Sequence, residues 1–147
     1  MSLTAVETLL AIEEIKKMRA RFARTLDTKA WDEFADCWTP DGTLTDYTMG
    51  PDNPGIAKGI PEILKLVRGG LDTGSSVHHL HGPEIDILSA TSAIGIWAME
   101  DKLRWPPGAN AITELNGSGH YHETYEKLDG KWKVKSFTLT RLRVDVK

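Results

Sequence analysis

Apolar positions in the first half of the chain recur at helical intervals. They fall three or four residues apart over residues 3–27, and Thr4 with Glu7 has the spacing of a capping box, so this segment predicts a long amphipathic helix. Shorter helices are predicted over residues 28–38 and residues 59–70, the last with a proline in its first turn and two glycines at its end.

From Ser76 onward the apolar positions recur every second residue, which is the period of a β-strand. Asp129–Gly130 between the last two strands is a hairpin signal. The predicted strands are residues 43–49, which follow a turn at residues 39–42, then Ser76–Ile87, Ala93–Trp105, residues 112–127 and Lys131–Val146. Helices followed by a strand meander indicate an α+β fold, with helices covering one face of a curved antiparallel sheet.

Length and composition narrow the class of protein. A chain of 147 residues fits a single domain, here residues 1–147. A net charge of -3, with acids and bases interspersed, is not typical of a nucleic-acid-binding or anionic-membrane-binding protein. The chain has no apolar run of membrane-spanning length and no signal-peptide pattern, and its single cysteine suits a reducing compartment. We therefore expect a cytoplasmic protein.

Strand alternation assigns side chains to faces and yields the first functional candidates. One parity of the first long strand is apolar apart from two histidines: Val77, His79, His81, Pro83, Ile85 and Ile87. This pattern predicts that His79 points inward and His78 outward. Asp101 lies on the apolar stripe of the next strand with Trp97, a candidate cavity-lining residue, and Arg141 lies on that of the last. Polar groups on apolar faces are costly unless they are paired or line a pocket.

The histidines also permit a metal-binding interpretation. His79 with His81, and His120 with His122, are same-face pairs on strands, an arrangement in which imidazoles bind metal ions. A cupin-type pattern, however, requires a glutamate farther along than Glu84, and it does not begin with a helical third. Acid–base chemistry is the preferred interpretation, and we expect no metal ion and no organic cofactor.

Four segments of the chain, in order, resemble the SnoaL-like branch of the nuclear transport factor 2-like superfamily: RFARTLDTKAWDEFADCWTPDGTLTDY, VHHLHGPEIDI, GIWAMEDKLRW and GHYHETYEKLDGKWKVKSFTLTRLRV. The resemblance is strongest to the subgroup containing bile acid 7-alpha-dehydratase and scytalone dehydratase. It implies a cone-shaped α+β barrel, the cystatin-like fold, whose open end takes a small hydrophobic ligand. The superfamily includes dehydratases, isomerases, cyclases, hydrolases and non-catalytic modules, so the fold alone does not define the function.

The resemblance also implies roles for individual residues. Asp27 lies at the position of the dehydratases' acid and His79 at that of the catalytic histidine, which the acid holds. Tyr47 matches a tyrosine that polarises the substrate carbonyl. In the relatives a helix tyrosine stands where this chain has Phe22 or Leu26, so a hydroxyl usually supplied by the first helix is missing. Further substrate-binding candidates are Asp101, Arg141, His120 or His122, and Phe22.

These roles suit the elimination of water from a hydroxy ketone. The reaction requires a base for the proton next to the carbonyl, a donor for the developing enolate and an acid for the departing hydroxyl. Histidine serves as both base and acid, since its unperturbed pKa is about 6.5. His79 would be the acid–base group, Asp27 its orienting partner and Tyr47 the carbonyl donor. Asp27 also has a simpler alternative role as the N-cap of the second helix.

The resemblance thus implies a cofactor-independent dehydratase acting on a small hydrophobic cyclic hydroxy ketone. Two alternatives stay open: a ketosteroid-isomerase-like proton shuttle with Asp101 as base, and a small-molecule-binding module without catalysis. A homo-oligomer, dimer or trimer, is expected because another subunit usually covers one open sheet face in this fold.

Overall fold

The computed structural model describes residues 2–147, which form three helices and six strands. In chain order these are α1 (Ala5–Asp27), α2 (Trp31–Asp36), β1 (Trp38–Asp46), β2 (Gly55–Lys58), α3 (Ile60–Leu71), β3 (Ser75–Ile87), β4 (Ser92–Arg104), β5 (Glu114–Leu128) and β6 (Lys131–Val146). All three predicted helices and the four long predicted strands are confirmed within a few residues, and β2 was not predicted.

Local signals in the sequence explain where the helices begin. The Thr4 hydroxyl accepts a hydrogen bond from the Glu7 amide, and the Glu7 carboxylate accepts one from the Thr4 amide, so the predicted capping box caps α1. Gly59, with a φ of 80°, precedes α3. Within residues 2–147, no helix is long and apolar enough to cross a membrane.

The six strands form one curved mixed sheet in the order β2-β1-β6-β5-β4-β3. Every neighbouring pair is antiparallel except β1 and β6, which are parallel. Asp129 and Gly130, with φ values of 49° and 76°, form the predicted hairpin turn between β5 and β6. The α+β class is confirmed, and the sheet is open because β2 and β3 are its two edges.

The predicted turn at residues 39–42 lies inside β1, at an irregularity. The register of β1 against β6 shifts between Trp38 and Thr43, so the turn-forming residues bend the strand without ending it. The strand continues because β6 supplies pairing partners on both sides of the bend.

The helices pack on one face of the sheet, which we call the inner face, and leave the opposite, outer face uncovered by them. An aromatic cluster forms the inner core: the Phe22 ring centroid lies 4.7 Å from that of Phe34 and 5.9 Å from that of Phe137. Phe22 and Trp97, predicted to line the pocket, are 4% and 5% exposed and belong to this core. Burying each such large side chain contributes about 1.5–3 kcal/mol.

Candidate active site

The structure reverses the predicted face assignment of the histidines on β3. The His78 side chain is on the inner face and only 10% exposed, whereas that of His79 is on the outer face and 55% exposed. His81 is exposed as well, and both outer histidines lie 3.5 Å from the carboxylate of Glu100 on β4. The predicted inward orientation of His79 is therefore wrong.

A β-bulge causes this reversal. The register between β3 and β4 shifts after Leu80 and before Pro83, so that His81 and Gly82 both oppose Ala98. The apolar residues beyond the bulge do face inward, as predicted. Strict alternation does not hold across the bulge, because the extra residue exchanges the inner and outer faces. The residues before the bulge therefore point the opposite way from the prediction.

Asp27 is fixed against His78 through both of its carboxylate oxygens. Oδ1 accepts a hydrogen bond from the Ser76 hydroxyl at 2.8 Å and lies 2.6 Å from His78 Nδ1, while Oδ2 accepts one from the His78 amide at 2.9 Å. Asp27 is the last residue of α1, so the C-terminal end of this helix positions the carboxylate against β3. The predicted pairing of Asp27 with His79 is wrong.

The alternative role of Asp27 as a helix cap is also wrong. The N-cap of α2 is Ala30, which makes no side-chain capping hydrogen bond. The contacts of Asp27 are instead made across the fold to β3.

The hydrogen bonds to Asp27 fix its charge and the tautomer of its partner. Burial acts to raise the pKa of Asp27, but the hydrogen bonds from His78 and Ser76 outweigh it and hold the pKa below its usual value. Because the carboxylate is ionised and can only accept, Nδ1 of His78 carries the proton. In the neutral form of the ring, the lone pair is therefore on Nε2.

Asp101 and Arg141 form a buried ion pair beside His78. Arg141 donates from Nη1 to Oδ1 at 2.9 Å and from Nη2 to Oδ2 at 2.8 Å, and the Asp101 side chain is 3% exposed. Burial acts to lower the pKa of Arg141, but the hydrogen bonds and charge of Asp101 raise it above its usual value. Oδ2 of Asp101 lies 4.0 Å from His78 Nε2. Both charged residues share the inner face, as predicted, and their contact with a substrate stays a prediction.

Gly117 makes room for this ion pair. A Cβ atom built on Gly117 would lie 2.5 Å from Asp101 Oδ1 and closer still to Arg141 Nη1. We therefore expect Gly117→Ala to fold but to displace the ion pair, and a reaction catalysed at this site to slow by on the order of 10²-fold. Gly69→Ala, whose Cβ would meet nothing within 4 Å, is the control. Equal turnover of the two variants in a steady-state assay would show that the position of the ion pair does not matter.

The histidines of β5 lie away from His78. His120 and His122 alternate with the buried Tyr121 and Glu123 and are on the outer face, where their ring centroids are 6.3 Å apart. The prediction that His120 or His122 shares a pocket with the histidine paired to Asp27 is therefore wrong. Among residues 2–147, no group of three or more histidine, cysteine, aspartate or glutamate side chains is arranged to hold a metal ion.

Tyr47 is half-buried and directly follows β1. Its amide donates a hydrogen bond to Leu139 on β6 at 3.1 Å. The next residue, Thr48, accepts a hydrogen bond from Arg141 Nε at 3.0 Å. This segment therefore adjoins the ion pair, and the predicted donor role of Tyr47 stays a prediction.

A second buried ion pair was not predicted from the sequence. Nη2 of Arg19 lies 2.8 Å from Oε1 of Glu123, and both side chains are at most 1% exposed. Tyr125 donates its hydroxyl hydrogen to Glu123 and accepts a hydrogen bond from Trp97 Nε1 at 2.8 Å. The guanidinium of Arg19 also lies 4.0 Å from the ring centroid of Phe22.

A sequence pattern does indicate this pair. Each residue is a charge on an otherwise apolar stripe, as is Asp101. Arg19 lies four residues after Ile15 on the buried side of α1, and Glu123 shares its strand parity with Tyr121 and Tyr125. Applied to every element, the same test identifies both residues.

The family of the chain is established by a match over most of its length. Residues 7–138 match the SnoaL-like domain family. The chain belongs to this family. The resemblance stated from the sequence is thereby confirmed, and the SnoaL-like domain spans the three helices and most of the sheet.

Known proteins similar to this SnoaL-like domain differ in the activity they are named for. The probable cyclase FGR4 of Gibberella zeae is 25% identical over 136 residues, which cover 87% of this chain and 89% of that protein. A putative scytalone dehydratase of Novosphingobium aromaticivorans superposes with a TM-score of 0.83 at 23% identity, covering 98% of this chain and 92% of that one. The hexachlorocyclohexane dehydrochlorinase LinA-type3 of Novosphingobium barchaimii gives 0.80 at 18% identity, covering 98% and 94%. The two structural likenesses show a shared fold.

Proposed function

We propose that this SnoaL-like domain is a cofactor-independent dehydratase that eliminates water from a small hydrophobic cyclic hydroxy ketone. One observation carries the proposal. Within residues 2–147, no group is hydrogen-bonded to His78 Nε2, although Nδ1 of the same ring is fixed by Asp27. A largely buried imidazole with one nitrogen oriented and the other free is arranged as a general base.

His78 would act first as base and then as acid. Nε2 takes the proton next to the carbonyl, and the electrons of the broken C–H bond form an enolate. Collapse of the enolate breaks the bond between the β-carbon and its hydroxyl oxygen, which leaves as water with the proton from Nε2. The products are one enone and one water molecule, and His78 is neutral again.

The neighbouring charges favour the imidazolium that forms in between. Asp27 stabilises it through Nδ1, and Asp101 lies 4.0 Å from Nε2. Arg141 balances the charge of Asp101, and Tyr47 would polarise the carbonyl. A dehydratase and a dehydrochlorinase among the structural neighbours, both named for eliminations, support this reaction class.

The alternative with Asp101 as base is less well supported. Both carboxylate oxygens of Asp101 are engaged in hydrogen bonds from Arg141, whereas Nε2 of His78 has no such partner among the described residues. A proton shuttle through His78 would return the proton to another carbon and expel nothing. The reaction product therefore distinguishes the two functions.

The test is an ultraviolet assay with a β-hydroxytetralone, which becomes a naphthol when it loses water. We expect naphthol formation at the same rate with and without EDTA. An isomerised ketone that keeps its hydroxyl would overturn the elimination. Turnover that ceases in EDTA would contradict the metal-free mechanism.

We also propose that the outer face binds a second copy of this chain. It exposes apolar side chains on adjacent strands, among them Val77 and Ile96, which are 45% and 38% exposed. A groove of about 360 Å³ there has Glu84 and Asp86 on one side and His122 on the other. A twofold rotation about the strand direction brings the carboxylates of one copy over the imidazole of the other, as an isologous interface requires.

Ile96→Glu is expected to abolish this association, because it places a carboxylate in the centre of the apolar contact. Sedimentation velocity is the measurement, with Met49→Glu, at a 74% exposed position outside the sheet, as control. The wild type and the control should sediment as oligomers and Ile96→Glu as a monomer. A monomeric wild type would contradict the proposal.

A further inference from the structure

Tyr121 is a buried residue whose hydroxyl has no hydrogen-bond partner in the described part of the protein but is not fully enclosed. The residue is 4% exposed, and within residues 2–147 its hydroxyl makes no hydrogen bond to another group. Tyr125, two residues along the same strand face, has its hydroxyl fully engaged by Glu123 and Trp97. The hydroxyl of Tyr121 is therefore both free of partners among these residues and reachable, so it can donate a hydrogen bond to a ligand.

The ring of Tyr121 is linked to that of Phe22, on α1, through the ring of Phe137. Its centroid is 4.7 Å from that of Phe137, which stacks on Phe22 with a centroid distance of 5.9 Å. The guanidinium of Arg19 lies near both rings, 4.0 Å from the Phe22 centroid and 5.4 Å from that of Tyr121. The sheet therefore contributes a tyrosine hydroxyl to the aromatic cluster that contains Phe22, whereas α1 contributes none.

Only glycines separate Tyr121 from the ion pair along the inner face of β5. Gly119 is paired with Met99, and Gly117 with Asp101. Burial first, and then the charge of Asp101, raise the pKa of Tyr121 well above its usual value. The hydroxyl thus stays protonated, and it is a hydrogen-bond donor and not a base.

We propose that the Tyr121 hydroxyl donates a hydrogen bond to the carbonyl oxygen of the substrate whose neighbouring proton His78 removes. This inference rests on the proposed function and deepens it. The bond strengthens as the carbonyl oxygen becomes an enolate oxygen in a site of low dielectric constant, so it stabilises the transition state more than the bound ketone.

The first test measures the hydrogen bond itself and requires no turnover. A tetralone without the β-hydroxyl is bound to the protein, and its carbonyl stretch is recorded by infrared difference spectroscopy. We expect the band to shift to lower wavenumber in the wild type and in Tyr125→Phe, and to return toward its position in apolar solvent in Tyr121→Phe. An unchanged band in Tyr121→Phe would overturn the inference.

The second test measures catalysis of the β-hydroxytetralone. Tyr121→Phe removes one oxygen without changing the ring, and kcat should fall about 10²–10³-fold with little change in KM, as for loss of an oxyanion donor. Adding Phe22→Tyr to this variant returns a hydroxyl from the facing ring, and it should restore at least part of kcat. A purely structural role for Tyr121 would give no such rescue.

The two proposals fail in different ways. If His78→Ala is inactive while Tyr121→Phe keeps the wild-type kcat, the base stands and the Tyr121 donor is wrong. If His78→Ala keeps full turnover, the proposed function is wrong, and the infrared band still decides whether Tyr121 binds the carbonyl.

Discussion

Replacing His78 by alanine is expected to lower turnover by roughly 10²–10⁴-fold, the range associated with loss of a general acid–base group. His78 is the histidine that Asp27 orients at 2.6 Å, and its Nε2 is free to take a proton. The same change at His79 should leave turnover within about twofold, because that side chain is 55% exposed on the outer face beside Glu100.

The two variants form a matched pair, since they differ by one position on the same strand. Both should keep the wild-type circular dichroism spectrum, and kcat/KM for the β-hydroxytetralone is the quantity to compare. A large loss in His79→Ala with full activity in His78→Ala would contradict the bulge-derived face assignment. Asp27→Asn provides a further check. It should lower kcat/KM, as His78→Ala does and His79→Ala does not.

Replacing Arg19 by methionine is expected to destabilise the protein by about 3–5 kcal/mol. The methionine fills a similar volume beside Phe22, but it leaves the carboxylate of Glu123 buried and without its cation. Arg19→Met combined with Glu123→Gln removes the uncompensated charge, and it should recover most of the lost free energy. Urea unfolding at equilibrium measures both variants. A double variant as unstable as the single one would show that packing, not charge, is responsible.

The loss of unfolding free energy in Arg19→Met should depend on pH. Burial raises the pKa of Glu123, while the charge of Arg19 and the hydrogen bond from Tyr125 act to lower it. A carboxyl group whose pKa is raised in the folded state favours folding below its unfolded pKa of about 4.3, and this contribution is lost as pH rises through the folded value. Without Arg19 the folded pKa rises further. The destabilisation should therefore be smaller at about pH 5 than at about pH 8.

Local patterns in the sequence were sufficient for most of the elements. The capping box at Thr4 and Glu7 and the turn at Asp129–Gly130 act within a few residues, and both appear in the structure as predicted. The parallel pairing of β1 with β6 could not be predicted in this way, because it joins strands separated by most of the chain.

The candidate site was predicted only in part. Asp27, Asp101 and Arg141 are brought beside a histidine of β3, as the resemblance implied, but the histidine is His78. The bulge after Leu80 depends on how β3 pairs with β4, and an alternating pattern read from one strand contains no information on that pairing.

Proton exchange next to a carbonyl shows whether His78 is the base. A tetralone without the β-hydroxyl cannot lose water, but its α-protons can still be removed by a base, and NMR in deuterated water follows their replacement by deuterium. We expect the wild type and His79→Ala to accelerate this exchange, whereas His78→Ala should leave it at the spontaneous rate. Exchange that is equally fast in His78→Ala and in the wild type would show that His78 is not the base.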